Sequence, residues 1–166
     1  MSGKIIEITG DVTEYIPQFG EEVVVIPHVA NNLGLLGAGV ALALKNKWNI
    51  IEKEYKNICL NNKDDNKTIL GKTDFVKVND NLIVANMIAQ NNLFNNHNNI
   101  RPLNYRALAI CMESVYKYCK QYENFAIHTP KFGSLRSGGD WKFILELIED
   151  FWLKRDVNVV VYKFQE

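Results

Sequence analysis

At 166 residues the chain is long enough to bury one sizeable core and too short to expect two. Its 19 basic and 19 acidic residues cancel, so no long-range field draws it to nucleic acid or a membrane surface, while 47% hydrophobic and 23% charged residues suit a soluble globular protein. No run is apolar enough to span a bilayer, no leader-like segment opens the chain, and Cys59, Cys111 and Cys119 are too scattered for a disulfide framework, so a cytoplasmic protein with reduced thiols is expected.

Lys4–Thr9 reads as a short strand carrying Ile5, Ile6 and Ile8, closed by Gly10-Asp11. After a polar turn around Tyr15-Ile16-Pro17, Glu22–Val29 is an apolar, β-branched strand. Gly37–Lys47 is a helix, and Ile50–Leu60 a second with Ile51, Tyr55 and Ile58 at helical spacing. Asn61–Lys67 is a solvated loop, and Thr73–Val78 pairs with Leu82–Gln90 as a hairpin turned at Asn79-Asp80-Asn81. Asn91–Asn99 holds little that packs and is expected as a mobile surface loop. Pro102 suits the first turn of a helix reaching about Gln121. Phe125–Thr129 is a strand, Trp141–Leu153 a helix and Val157–Phe164 the last strand. Strands and helices interleaved in this way predict an α/β fold: one domain over residues 1–166, a three-layer α/β/α sandwich around a mixed, mostly parallel central sheet.

Ligands of open α/β sheets sit beyond the carboxyl ends of strands. Three such ends are unusual here: Thr9-Gly10-Asp11-Val12, the loop from His28 to Gly39, and the segment from Thr129 to Trp141. The last two run strand, glycine loop, helix, which gathers backbone N–H groups and the positive end of a helix dipole where a phosphate can meet them. Two such helix starts on one sheet could grip a diphosphate from both sides, and Asp140 stands where the second helix would be capped. No G-x-x-x-x-G-K-[ST] is present, which argues against a Walker-type nucleotide hydrolase. Gly37-Ala38-Gly39 begins like a Rossmann fingerprint, but Leu42 stands at the third glycine position and a second helix intervenes before the next strand.

Gly10-Asp11-Val12, the loop His28…Gly37-Ala38-Gly39-Val40-Ala41 and the loop Pro130-Lys131-Phe132-Gly133…Gly138-Gly139-Asp140-Trp141 follow one another in an order that resembles the macro domain over nearly the whole chain. The resemblance is closest to the branch of terminal ADP-ribose–protein glycohydrolases and ADP-ribose-1″-phosphate phosphatases, with its small phage-type members. It implies ADP-ribose, or an ADP-ribosylated molecule, as ligand and partner. By this resemblance Asp11 accepts from the adenine amino group with the Val12 amide beside it; from the residues alone, Asp11 is a turn aspartate capping the next segment. Gly37, Ala38, Gly39 and Val40 would wrap the distal ribose and its phosphate, while Gly133, Ser134, Leu135, Arg136 and Ser137 would lie over the diphosphate. Asn31, rather than Asn32, is expected on ribose hydroxyls, and Gln90 is a further lining candidate at a strand end. Tyr162 matches an aromatic that lies against adenine, and packing in the core or on the surface is the equal alternative.

The glycohydrolases of that branch use a lysine at the end of the strand that here reads Leu82–Gln90, and an aspartate in the second glycine loop. This chain has no lysine in the strand and Leu135-Arg136-Ser137 in the loop. His28 matches a histidine of the phosphatase-like members and of the glycohydrolases, and an imidazole beside a phosphate can protonate a leaving oxygen or orient water. Phosphate removal from ADP-ribose-1″-phosphate is therefore the leading expectation, with His28 as the catalytic acid/base and loop amides stabilising charge. The alternatives are a reader that binds ADP-ribose without cleaving it, and an ADP-ribosyl-protein hydrolase that uses activated water; for His28 itself the plain alternative is a buried strand-end histidine bonded to backbone. His128 could approach His28 if their strands are neighbours. No His, Cys or carboxylate pair has short ligand spacing, so no metal and no cofactor is expected, and the chain is expected to act as a monomer without a nucleic-acid partner.

Overall fold

The computed structural model describes residues 2–93, 100–134 and 137–164. Its strands are β1 (Ile5–Thr9), β2 (Val23–Asn31), β3 (Thr73–Asn79), β4 (Leu82–Gln90), β5 (Phe125–Pro130) and β6 (Val159–Lys163), joined in one sheet in the order β1-β6-β5-β2-β4-β3. All neighbours run parallel except β3, which returns antiparallel along β4 through the expected hairpin. Helices α1 (Gly39–Lys47) and α2 (Lys53–Asn61) cover one face, and α3 (Tyr105–Cys119) and α4 (Trp141–Phe151) the other. The three-layer α/β sandwich with a mixed, mostly parallel sheet is thus the fold of this chain.

Covering both faces explains why the inner strands read as continuous apolar runs: every residue of β4 is buried. Side-chain alternation divides them between two cores. Val25, Ile83, Met87 and Ile127 pack against Leu108, Met112 and Ile148, while Ile26, Val84, Ile88 and Val160 pack against Leu44, Ile51 and Tyr55.

Several boundaries differ from expectation. Pro102 precedes the third helix rather than opening it. Asn104 is its N-cap, with Oδ1 accepting from Ala107 N at 2.9 Å, while Pro102 O accepts from Asn91 N at 2.8 Å and Leu103 N donates to Ser137 O at 2.9 Å. The segment before α3 is therefore tied both to the end of β4 and to the second glycine loop. Asn104→Ala, which removes the cap, is expected to cost about 1 kcal/mol in urea denaturation. Much of the polar stretch 61–67 is not an open loop but the start of 3-10 turns, Lys63–Ile69, anchored by the buried Ile69. The second helix opens with a 3-10 turn, Asn49–Glu52, the fourth ends at Phe151, and the last strand starts at Val159. Of the asparagine-rich tract, residues 94–99 lie outside the described residues.

Candidate functional site

The chain leaves β2 toward β4 and β3, and leaves β5 in the opposite direction toward β6 and β1. Crevices form at such a reversal. Here the β2–β5 ladder stops at Val25↔Ile127. Pro27 and Pro130 follow in the two strands, each without an N–H to donate, and Thr129 Oγ1 donates to Pro27 O at 3.1 Å where the strands part. Above the parting lies a cleft of about 640 Å³ walled by the end of β2, the loop into α1, Gln90, and the segment from Pro130 to Gly133 with Ser137.

The start of α1 faces this cleft: Ala38, Gly39, Val40 and Ala41 all line it. Ala38 provides no side-chain cap, and no acidic residue stands in the first turn. The first helical bond is Leu42 N to Ala38 O, so the amides of residues 39–41 have no intrahelical partner. Gly39 takes φ +58°, with nothing within 4 Å of where a Cβ would stand. The result is an uncapped helix start whose backbone amides open into the cleft. The start of α4 differs, because Asp140 Oδ1 accepts from Lys142 N at 2.9 Å and caps that helix. The second glycine loop therefore contributes a wall rather than a second open helix end. Its tight turn requires Gly139, whose Cβ would stand 2.5 Å from Gly133 O and 2.4 Å from a Leu103 methyl.

Polar side chains around the cleft are largely engaged in holding it. Asn31 Oδ1 accepts from Leu33 N, Leu35 N and Tyr55 Oη at 2.9, 3.3 and 2.9 Å, and its Nδ2 donates to Leu35 O at 2.7 Å. Asn32 donates to Asn66 O and Asn91 Oδ1 and accepts from Asn92 N. Ser137 Oγ donates to Gln90 Oε1 at 2.5 Å, linking the second glycine loop to β4. Ser134 Oγ donates to Lys131 O at 2.8 Å and is not part of the lining. Leu135 and Arg136 lie outside the described residues.

His28 is 2% exposed, lines the cleft from β2, and meets Asn86 Oδ1 through Nε2 at 2.5 Å. Burial pushes its imidazole down to about 4, against the opposing bond to Asn86 and the influence of the nearby Val29 backbone, so the ring is neutral at pH 7. Its Nδ1 is buried without a hydrogen-bond partner among the described residues. β2 and β5 are neighbours, yet the bonds of His128 run elsewhere: Nε2 meets Glu21 Oε2 at 2.6 Å and Nδ1 meets Tyr162 Oη at 2.7 Å. Tyr162 is 4% exposed, and its hydroxyl also accepts from Ile16 N at 3.4 Å. Asp11 and Val12 lie with Tyr162 at the ends of β1 and β6, beyond the cleft wall. There Asp11 Oδ1 accepts from Thr13 N and Thr13 Oγ1, both at 2.8 Å, as the residues alone suggested for a capping aspartate.

Of the sequence candidates, the structure gathers His28, Asn31, Gly37, Ala38, Gly39, Val40, Gly133 and Ser137 around one cleft, and sets Asp11, Val12 and Tyr162 along the same sheet edge beside it. Asn86 bonds His28 and Asp74 bonds Asn86, and neither stands out by motif or spacing in the sequence. Their signal was a lone asparagine in the otherwise apolar run Leu82–Ala89.

No family model and no curated protein matches this sequence. Solved structures do. A protein of unknown function from Bacteroides thetaiotaomicron is 31% identical, with a TM-score of 0.86 over 96% of this chain and 98% of that one. DarTG of Thermosipho africanus, solved in complex with ADP-ribose, shares the fold at 13% identity and a TM-score of 0.70, over 99% of this chain and 43% of its own. A macrodomain protein from Streptomyces coelicolor is 31% identical, with a TM-score of 0.77 over 96% of this chain and 99% of its own. With that identity spread over almost the full length of both chains, this chain belongs to the macrodomain family.

Proposed function

We propose that the chain binds ADP-ribose, or a molecule carrying it, across the carboxyl ends of its strands. The observation that carries this reading is the uncapped start of α1 opening into the cleft, a backbone anion site with no acidic side chain in its first turn. The diphosphate then lies between Gly37–Val40 and the loop from Gly133 to Ser137, with the distal ribose toward Asn31 and β4. Adenine lies toward Asp11, Val12 and Tyr162. From β1 to β4 is four strand spacings, about 19 Å, which suits a base, two phosphates and a sugar laid end to end. DarTG, of which 43% matches this fold, has been solved in complex with ADP-ribose. Titration calorimetry with ADP-ribose tests the reading. Binding is expected, weakened about tenfold in Asp11→Ala by loss of a hydrogen bond to a charged group; no heat from folded protein at millimolar ligand sinks it.

Hydrolysis is the finer part of this reading, with ADP-ribose-1″-phosphate as substrate and an ADP-ribosyl-protein bond as the alternative. The place of His28 in the cleft lining favours it. With the imidazole held down near 4, about one ring in a thousand is protonated at pH 7, so in such a reaction His28 offers a lone pair as an acceptor rather than giving a proton to the leaving group. Phosphate release from ADP-ribose-1″-phosphate is the measurement. A rate unchanged in His28→Gln removes His28 from the chemistry, and binding without release leaves a reader.

A further inference from the structure

His28, Asn86 and Asp74 stand opposite one another in register on β2, β4 and β3, forming one polar row across the sheet face that otherwise carries Ile26, Val84 and Ile88. Polar groups on such a face are costly unless each is bonded. Asn86 is fully buried and its Nδ2 donates to Ile51 O at 2.8 Å and to Asp74 Oδ2 at 3.1 Å. Both partners are acceptors, so turning the amide over would set its oxygen against two oxygens. The orientation is therefore determined, and Oδ1 faces His28. A ring nitrogen 2.5 Å from that oxygen must carry a proton. In a neutral imidazole the other nitrogen is then bare.

We propose that Asn86, oriented by Asp74 and Ile51 O, locks His28 as the Nε2–H tautomer so that its bare Nδ1 accepts a hydrogen bond from a hydroxyl of the ligand's terminal ribose. The assignment rests on the ADP-ribose reading. Nδ1 is buried, partnerless among the described residues, and belongs to a residue of the cleft lining. An acceptor lone pair repels a phosphate oxygen and attracts an O–H. In ADP-ribose the adenine amino group lies, on this reading, three strand spacings away at β1, and the adenosine ribose lies with it on the far side of the diphosphate, so the hydroxyls of the terminal ribose are the donors within reach of β2. Asn86 and Asp74 act through His28 and are positioning residues.

Ring ¹⁵N spectra of the histidine-labelled protein at neutral pH, with His28→Gln to assign the signal, read the tautomer in the free protein. The expected result is one protonated nitrogen, Nε2, and one bare nitrogen, Nδ1, which shifts upfield without protonation when ADP-ribose is added. Asn86→Ala should give a mixture of tautomers and weaken ADP-ribose about fivefold, the loss of one neutral hydrogen bond, while leaving the affinity for ADP, which has no terminal ribose, unchanged. Asp74→Asn, a milder change, should move both readouts in the same direction, and thermal melts confirm that each variant is folded. A protonated Nδ1 in the wild-type protein overturns the lock. Equal losses for ADP and ADP-ribose overturn the positioning role in favour of a structural one. Absence of binding by either ligand overturns the ADP-ribose reading and the hydroxyl assignment with it, an outcome distinct from the tautomer result because that needs no ligand.

Discussion

Ala38→Asp is expected to stabilise the free protein and to weaken ADP-ribose binding about a hundredfold. Ala38 is the N-cap of α1, already extended at φ −155° and ψ 159°, so an aspartate can enter without strain. Its carboxylate would accept from the free amides of the first turn and sit at the positive end of the dipole, adding about 1 kcal/mol of stability. The same carboxylate would occupy the place of a phosphate and repel it. Two unit charges about 4 Å apart at a protein surface interact by about 4 kcal/mol before salt screening, so a hundredfold loss is a moderate expectation. Urea denaturation and calorimetry on one preparation give the two signs. A variant that binds ADP-ribose as tightly as the wild type would move the phosphate away from α1. Ala38→Ser, which caps without charge, should stabilise while preserving most of the binding.

Lowering the pH from 7 to 4 is expected to remove about 3 kcal/mol of stability through His28 alone. Burial lowers its native value from 6.5 to about 4. The unfolded chain therefore takes up a proton between those values while the native protein does not, and stability falls as the pH falls through that window. Below about 4 both states are protonated and the contribution levels off. His128 adds to the slope with the same sign, because burial lowers it too, against the opposing bond to Glu21. Burial pushes Glu21 up, but the bonds from His128 and from Phe19 N bring it net below its usual value, so its contribution is lost at still lower pH. Urea midpoints measured across this range should fall steeply for the wild type and less steeply for His28→Gln. Parallel curves would mean that His28 is protonated in the native protein near its ordinary value.

The glycine stretches were legible because their meaning lies in the backbone. Gly39 answers to a positive φ, and Gly139 to the close approach of Gly133 O in its own loop, so a local pattern is enough to place them. Pro27 and Pro130 were equally visible, yet their effect requires β2 to lie beside β5, a pairing of segments about a hundred residues apart. Asn31 was picked out as a residue near the site, but its amide holds the loop Leu33–Leu35 and the hydroxyl of Tyr55. The sequence allows stacking and packing alike for Tyr162, and its hydroxyl is bonded to a histidine 34 positions away. The row from His28 to Asp74 was invisible because no sequence spacing links positions on three strands until their registers are known.

By itself the sequence determined the order of strands and helices, the glycine loop that opens α1, and the three loops that resemble those of the macro domain. Those features depend on hydrophobic alternation and on glycine conformations, which act over a few residues. The tertiary structure alone decided which polar side chains line the cleft and which are used up in the scaffold. A buried polar group takes whatever partner the packing brings to it, and in this fold the partners of His28 and His128 arrive from 58 and 107 positions away in the chain.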